Sequence, residues 1–112
     1  MSKFVFAYHG GSHYSNASEY DRIMHAWQQW MQAMGPAVVD GGNPVGLSST
    51  VRADGTIMHS GGLNPISGYS LIEADNIDEA LELARACPIL LNGGSIEVAQ
   101  AMQMTPLQLS AM

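Results

Sequence analysis

The sequence predicts an α+β fold in which an antiparallel sheet carries two helices on one of its faces. Three observations support this prediction. Short runs of β-branched and aromatic residues alternate with turn segments, and two longer segments repeat apolar residues at every third or fourth position. The two helical segments are also separated by several strand segments. The resulting order of strand, helix, strands, helix and strand is that of the split βαβ, or ferredoxin-like, arrangement.

The N-terminal third is expected to form one strand and one helix. Residues 4–8 are apolar and aromatic enough for a strand, and residues 19–34 have helical periodicity. Asn16 or Ser18 would cap this helix, and Gly35-Pro36 would end it. Its expected buried face consists of Tyr20, Ile23, Trp27, Trp30 and Met34.

The middle of the chain is expected to contain only strands and turns. Residues 37–42 form a short second strand, and residues 48–53 and 56–60 pair around the Asp54-Gly55 turn. A further strand covers residues 68–74.

The C-terminal part is expected to form a second helix and the last strand. Asp75 would cap a helix over residues 77–86, which Pro88 ends. After a Gly93-Gly94 turn, residues 95–102 form the last strand, and the apolar tail 104–112 would pack on a partner. The expected buried stripe of the second helix consists of Ile77, Ala80, Leu81 and Ala84.

Composition limits the classes of function. The 112 residues amount to one domain, residues 1–112, with 46% apolar residues. Four basic residues stand against ten acidic ones, without a basic cluster, so we expect no nucleic-acid partner. No apolar run has the length of a membrane span, and the single cysteine cannot form an intrachain disulfide. We therefore expect a cytoplasmic protein with no membrane partner.

One segment is more specific than these patterns. Residues 68–98 read GYSLIEADNIDEALELARACPILLNGGSIEV. This segment resembles the closing part of the YCII-related family, in particular its DGPF-type branch. The resemblance implies a dimeric α/β barrel with a cleft between sheet and helices, but no single settled reaction. The sequence departs from the family pattern in two places. The D-G-P-F signature is replaced by residues 59–69, HSGGLNPISGY. Cys87 occupies the place of an acidic residue that another branch of the family carries.

Three residues are candidates for catalysis. The resemblance places a functional histidine on the first helix close to His25, although a solvated histidine near Asp21 is the alternative interpretation. His9 follows the first strand and Asp40 lies in the second, and strand alternation directs each to one side of its strand. If those strands were close neighbours, the two residues could form an oriented general base. Otherwise each would simply end its strand.

Two other chemistries are weighed against structural roles. His9, His13 and His59 carry imidazoles that suit zinc, copper or nickel, but their spacing matches no established metal site. We therefore expect no metal and no cofactor. Cys87 lies at a helix C-terminus, whose partial negative charge disfavours a thiolate, so we expect a structural cysteine.

These observations leave two functions open. The first is acid–base chemistry of the lyase or isomerase kind on a small organic molecule, carried out by His25, His9 and Asp40. The second is non-catalytic binding of a small ligand in the same cleft. In both, the apolar sheet face of so short a chain is expected to be covered by a second copy, which gives a homodimer.

Overall fold

The computed structural model of the chain describes residues 1–104. Residues 105–112, where the sequence predicts a tail that packs on a partner, lie outside the described residues. The strands are β1 (Ser2–His9), β2 (Val38–Pro44), β3 (Thr50–Val51), β4 (Ile57–Met58), β5 (Ile66–Ala74) and β6 (Ser95–Gln100). The helices are α1 (Ala17–Met34) and α2 (Ile77–Arg85), and short 3₁₀ helices cover Gly35–Ala37 and Pro88–Asn92.

The predicted fold class is confirmed. Four strands form an antiparallel sheet in the order β2-β5-β1-β6, and the two helices pack on one face, as in a ferredoxin-like fold. β3 and β4 form a separate two-stranded sheet. Within residues 1–104, no helix is both long and apolar enough to cross a membrane.

The core lies between the sheet and the helices. Strand alternation in β1 directs Phe4, Phe6 and Tyr8 toward the helices, where all three are buried. Trp30 stacks near Phe6, with 6.2 Å between ring centroids, and its indole N–H donates to the carbonyl oxygen of Leu83 at 2.9 Å. This hydrogen bond joins α1 to α2 across the core. Trp27 is half-buried and packs edge-on against Tyr8, so both tryptophans belong to the predicted apolar face.

Both helices begin at an asparagine cap. The side chain of Asn16 accepts from the backbone N–H of Glu19 at 2.9 Å, and the Glu19 carboxylate accepts from the N–H of Ser15 in return. Asn76 caps α2 in the same way, through the N–H of Glu79 at 2.9 Å. Asn16 was one of two predicted caps. The predicted Asp75 cap is wrong, because the residue that enters the helix with extended backbone is Asn76.

Both predicted buried stripes are incomplete within residues 1–104. Ala80 and Ala84 of α2 are buried, but Ile77 and Leu81 are 41% and 43% exposed. Tyr20 of α1 is exposed as well. Leu81 instead lines a groove between α2 and β6. A second difference lies after α2, where Pro88 starts a 3₁₀ helix that the sequence analysis did not predict.

Among residues 1–104, no element packs on the face of the sheet opposite the helices. Alternation turns Val5, Val39 and Leu71 toward this side, and Val5 and Val39 are exposed while Leu71 is partly buried. We call this surface the open face. It is apolar at its centre.

The segment between β2 and β5 projects from the end of the sheet. We call residues 45–64 the hairpin arm, since β3 and β4 pair within it around a turn in which the N–H of Gly55 donates to Arg52. The molecule measures 50 × 37 × 19 Å, with a radius of gyration of 16.1 Å. A compact chain of this length has a radius of gyration of about 13 Å. The molecule is therefore more extended than a compact chain of this length.

Candidate functional site

A cleft of about 300 Å³ lies between α1 and the end of the sheet at which β1 finishes. A cleft between the sheet and the first helix was expected, with at least one of His9 and His25 reaching it, but neither histidine is among the described residues that line it. Two glycine-containing segments, residues 10–12 and 41–44, form parts of its rim. The large side chains of its wall are Tyr8, Tyr14, Met24, Trp27, Met31 and Ile89.

The chemical character of the cleft is neutral. Among the described residues, no aspartate, glutamate, lysine, arginine or histidine lines it. Its polar groups are the hydroxyls of Ser12, Ser67 and the tyrosines, the amide of Asn43, and backbone groups at the glycines. The site therefore offers hydrogen bonds and aromatic surface, but no group that ionises near neutral pH.

A hydrogen-bonded chain lies behind the floor of the cleft. The Tyr8 hydroxyl donates to the Ser70 hydroxyl at 2.7 Å, and Ser70 donates to the carbonyl oxygen of Gly41 at 2.7 Å. Burial raises the pKa of Tyr8 well above its usual value, and only part of that increase is offset by the bond to Ser70. Tyr8 is thus a neutral phenol at physiological pH, and its oxygen retains acceptor capacity.

Glycines let the backbone approach closely at the rim. Gly42 has a φ of +71°, and a Cβ there would lie 1.7 Å from the carbonyl oxygen of Tyr69. Gly11 has a φ of +70°, and a Cβ there would lie 2.6 Å from the Ile89 side chain. Both positions therefore require glycine for conformational and steric reasons.

The loop between β1 and α1 is attached to the body at its start. The Asn92 amide donates to the carbonyl oxygen of Gly11 at 2.6 Å, and Ser67 donates to that of Gly10 at 2.9 Å. Further along, the ring of Tyr14 packs edge-on against Tyr20 at 5.0 Å. Partial burial raises the pKa of Tyr14. The start of the loop is therefore a fixed wall of the cleft.

His9 lies outside the cleft, at the edge of the open face. Its Nε2 lies 3.0 Å from a carboxylate oxygen of Glu97, and its Nδ1 lies 2.9 Å from the carbonyl oxygen of Asn64. The side chain is only 12% exposed. Both ring nitrogens of His9 therefore face oxygen acceptors, and His9 is not among the described residues that line the cleft.

The structure does not bring His9 and Asp40 together. β5 lies between β1 and β2. Asp40 pairs with Leu71 of β5, and Leu71 pairs with Val5 of β1. Val5 is four residues from His9, or about 13 Å along the strand. The Asp40 carboxylate instead accepts from the N–H of Gly42 at 2.8 Å, which supports the bend of β2.

The remaining candidates are separate from the cleft or buried without a polar role. His25 is exposed on the outer side of α1, and it is not among the described residues that line the cleft. His13 and His59 are exposed, and no group of three or more possible metal ligands occurs within residues 1–104. Cys87 is buried, and burial raises its pKa to about 12.

Sequence reasoning missed Glu97 as the partner of His9. The signal was present, because alternation along residues 95–100 places Glu97 on the same face as His9 once β6 is set beside β1. The tyrosine and methionine lining of the cleft was also missed, and Trp27 was assigned to the core. Those side chains follow helical and strand periodicity, which does not distinguish a cleft wall from a core.

Comparison of the chain with protein-family models and with curated proteins finds no match.

Proposed function

We propose that this protein binds a small, uncharged ligand with an aromatic or otherwise apolar ring in the cleft between α1 and the sheet. The observation that carries the proposal is the composition of the cleft wall, which combines aromatic and methionine side chains with neutral polar groups. The volume of about 300 Å³ falls at the lower end of the range for small-molecule sites.

The absence of charge in the described wall determines the class of ligand. An ionised ligand would lose its hydration without gaining an ion pair, which is costly in an apolar site. A neutral ring loses little and gains contact with the aromatic and thioether groups of Trp27, Tyr14 and Met31. Non-catalytic binding is therefore better supported than acid–base chemistry at this cleft.

Matched pairs of compounds test the proposal. The full-length protein would be titrated with benzamide and indole, and with their anionic counterparts benzoate and indole-3-acetate, while the indole N–H signals of Trp27 and Trp30 are followed by NMR. We expect the neutral compounds to shift the Trp27 signal and to bind at least tenfold more tightly than the anions. Trp27→Ala should abolish binding, whereas Gln29→Ala, an exposed position on α1, should not change it. Equal affinity for the anions, or no binding by either neutral compound, would exclude the proposal.

Acid–base catalysis is the second candidate, supported by one observation. The carboxylate of Glu97 orients the nearly buried imidazole of His9 at 3.0 Å. The contact of the other nitrogen with Asn64 makes His9 less suited to proton transfer, so binding is preferred. Chemical conversion of a small molecule that is lost in His9→Gln would favour catalysis at His9.

We further propose that the chain forms a homodimer through the open face. Its central residues Val5, Val39 and Leu71 are apolar and have no cover within the described chain. The motifs of residues 68–98 and the ferredoxin-like sheet support membership in the YCII-related family. The single cysteine of this chain, Cys87, is buried and free, which is consistent with a cytoplasmic location.

A further inference from the structure

The hydroxyl of Tyr8 has a hydrogen whose direction the structure fixes. The Ser70 oxygen lies 2.7 Å from the carbonyl oxygen of Gly41, and a carbonyl can only accept, so the single Ser70 hydrogen points to Gly41. The Tyr8 oxygen lies 2.7 Å from the Ser70 oxygen, and the hydrogen between them must then come from Tyr8. The phenol therefore has no hydrogen left to donate to a ligand, whereas its oxygen can still accept one.

The hydroxyl of Ser67 is constrained in the same way. Its oxygen lies 2.9 Å from the carbonyl oxygen of Gly10, so the Ser67 hydrogen points to that carbonyl. The next carbonyl, that of Gly11, accepts from the Asn92 amide at 2.6 Å, which holds this part of the loop in place. Tyr8 and Ser67 both line the cleft, and each offers an oxygen that accepts but does not donate.

The buried hydroxyl of Ser70 keeps the Tyr8 hydrogen turned away from the cleft. Ser70 is 1% exposed, and a hydroxyl at such a position is costly unless it is hydrogen-bonded. Within residues 1–104, no buried side-chain nitrogen or oxygen lacks a hydrogen-bond partner. Rotation of the Tyr8 hydrogen toward the cleft would break the bond to Ser70, so the direction of the chain is maintained by the core.

The polar side chains at the rim are less constrained. Ser12, Asn43 and Tyr69 are exposed, so water can satisfy them as donors and as acceptors. Tyr8 is only 5% exposed, and burial raises its pKa, so it is a neutral acceptor. A ring that enters the cleft displaces the water beside Tyr8 and Ser67, and a ring without a donor leaves their oxygens unpaired.

We propose that the cleft selects a neutral ring that carries an N–H or O–H donor, and that Tyr8 and Ser67 are the residues that select it. The proposal rests on the ligand binding proposed above and names the class of ligand more closely. An N–H or O–H on the ring supplies the hydrogen that both oxygens lack. A ring heteroatom that can only accept places its lone pair against theirs, which is unfavourable in a site with little water.

The first test compares two neutral rings of the same shape. Indole carries an N–H donor at the position where benzofuran carries an acceptor oxygen. The full-length protein would be titrated with each, while the NMR signal of the Trp27 side chain is followed. We expect indole to bind about tenfold more tightly, although benzofuran is the less polar compound and hydrophobic transfer alone would favour it. Equal affinities, or tighter binding of benzofuran, would overturn the selection and leave ligand binding intact. Binding of neither compound would overturn both proposals.

The second test assigns the selection to residues. Tyr8→Phe combined with Ser67→Ala removes both acceptors and is expected to lower the preference for indole to below about threefold, without weakening benzofuran. Tyr8→Phe alone keeps the bond from Ser70 to Gly41 and should change the preference in the same direction. Tyr20→Phe combined with Ser95→Ala removes the same two groups outside the cleft and serves as the matched control. A preference that is unchanged in the cleft variants, or equally reduced in the control, would exclude Tyr8 and Ser67.

The third test concerns Ser70, a positioning residue that contacts Tyr8 but is not among the described residues that line the cleft. In Ser70→Ala the Tyr8 hydrogen is free to turn toward the cleft and donate to a ligand. The affinity for benzofuran is then expected to rise relative to indole by about threefold or more. Loss of packing would weaken both compounds together, so the ratio of the two dissociation constants separates the roles. An unchanged ratio would exclude Ser70 as the group that fixes the Tyr8 hydrogen.

Discussion

Cys87 is buried between α2 and the 3₁₀ helix Pro88–Asn92, and its burial makes the thiol unreactive. Burial raises its pKa from the ordinary 9.0 to about 12, and the contact with the Ile89 backbone offsets only part of that increase. At pH 7 the thiolate is therefore about a thousand times scarcer than in an exposed cysteine. We expect alkylation by iodoacetamide to be slower than that of free cysteine by at least this factor, as followed by mass spectrometry. Labelling within minutes at neutral pH would contradict the structure.

Because of this pKa shift, the free energy of unfolding depends on pH in the alkaline range. The folded protein keeps the Cys87 proton between pH 9 and about 12, while the unfolded chain loses it. The contribution to stability is therefore complete below pH about 9 and decreases above it by about 1.4 kcal/mol per pH unit. Urea unfolding of Cys87→Ala, compared with wild type from pH 8 to pH 11, should show a flatter decline. Parallel declines would exclude a contribution from this thiol.

Gly42 and Gly41 are neighbours that should differ in their tolerance of a side chain. Gly42 has a left-handed backbone conformation, and a Cβ there would overlap the Tyr69 backbone. A Cβ at Gly41 would have no atom within 4 Å. We expect Gly42→Ala to lower the free energy of unfolding by about 3 kcal/mol, through strain and displacement of the cleft rim. Gly41→Ala should change it by less than about 1 kcal/mol. Urea titration measures both, and equal effects would show that the rim tolerates a side chain.

At the level of elements, α2 offers a direct test of which residue starts the helix. The Asn76 side chain satisfies the N–H of Glu79, which would otherwise lack an intrahelical partner. Asn76→Ala should therefore lower the free energy of unfolding by about 1 kcal/mol. Asp75→Ala, one residue earlier, should change it by less than half of that. The reverse ranking would restore Asp75 as the cap.

The β3–β4 hairpin shows how an element can be correctly located and still differ from expectation. The Asp54-Gly55 turn forms as predicted, with Gly55 at a φ of +87°. The paired strands are two residues each rather than the five or six predicted, because backbone pairing is limited to Thr50 with Met58 and Val51 with Ile57. Local turn chemistry determines the turn, while the length of pairing depends on a neighbouring strand, and no strand within residues 1–104 pairs with the arm.

At the level of the whole molecule, the open face is the surface on which the proposed homodimer depends. Val5 lies at the centre of this face, with β5 on one side and β6 on the other. Val5→Lys would place an ammonium group in the apolar interface, at a cost of several kcal/mol, but would leave it in water in the monomer. We expect a folded monomer by light scattering and circular dichroism, while Gln29→Lys remains dimeric. A dimeric Val5→Lys protein would move the interface elsewhere.

Periodicity and turn chemistry were sufficient for the fold. The apolar alternation of β1, the helical spacing of Ile23 and Trp30, and the Gly-Pro end of α1 are local signals, and each gave an element close to its observed bounds. Their order then allowed one common arrangement, and the sheet order β2-β5-β1-β6 confirms it. To that extent the amino-acid sequence by itself determined the architecture.

Only the tertiary structure decided which side chains meet. His9 lies beside Glu97 rather than Asp40, because β6 rather than β2 is the neighbour of β1 on that side. The cleft likewise draws its wall from segments far apart in sequence, such as Tyr8, Met24 and Pro44. Periodicity predicts which face of a helix or strand a residue occupies. It does not predict which other element packs against that face. The physical reason is that a site is formed by long-range packing, whereas helices, strands and turns are formed largely by near neighbours in the chain.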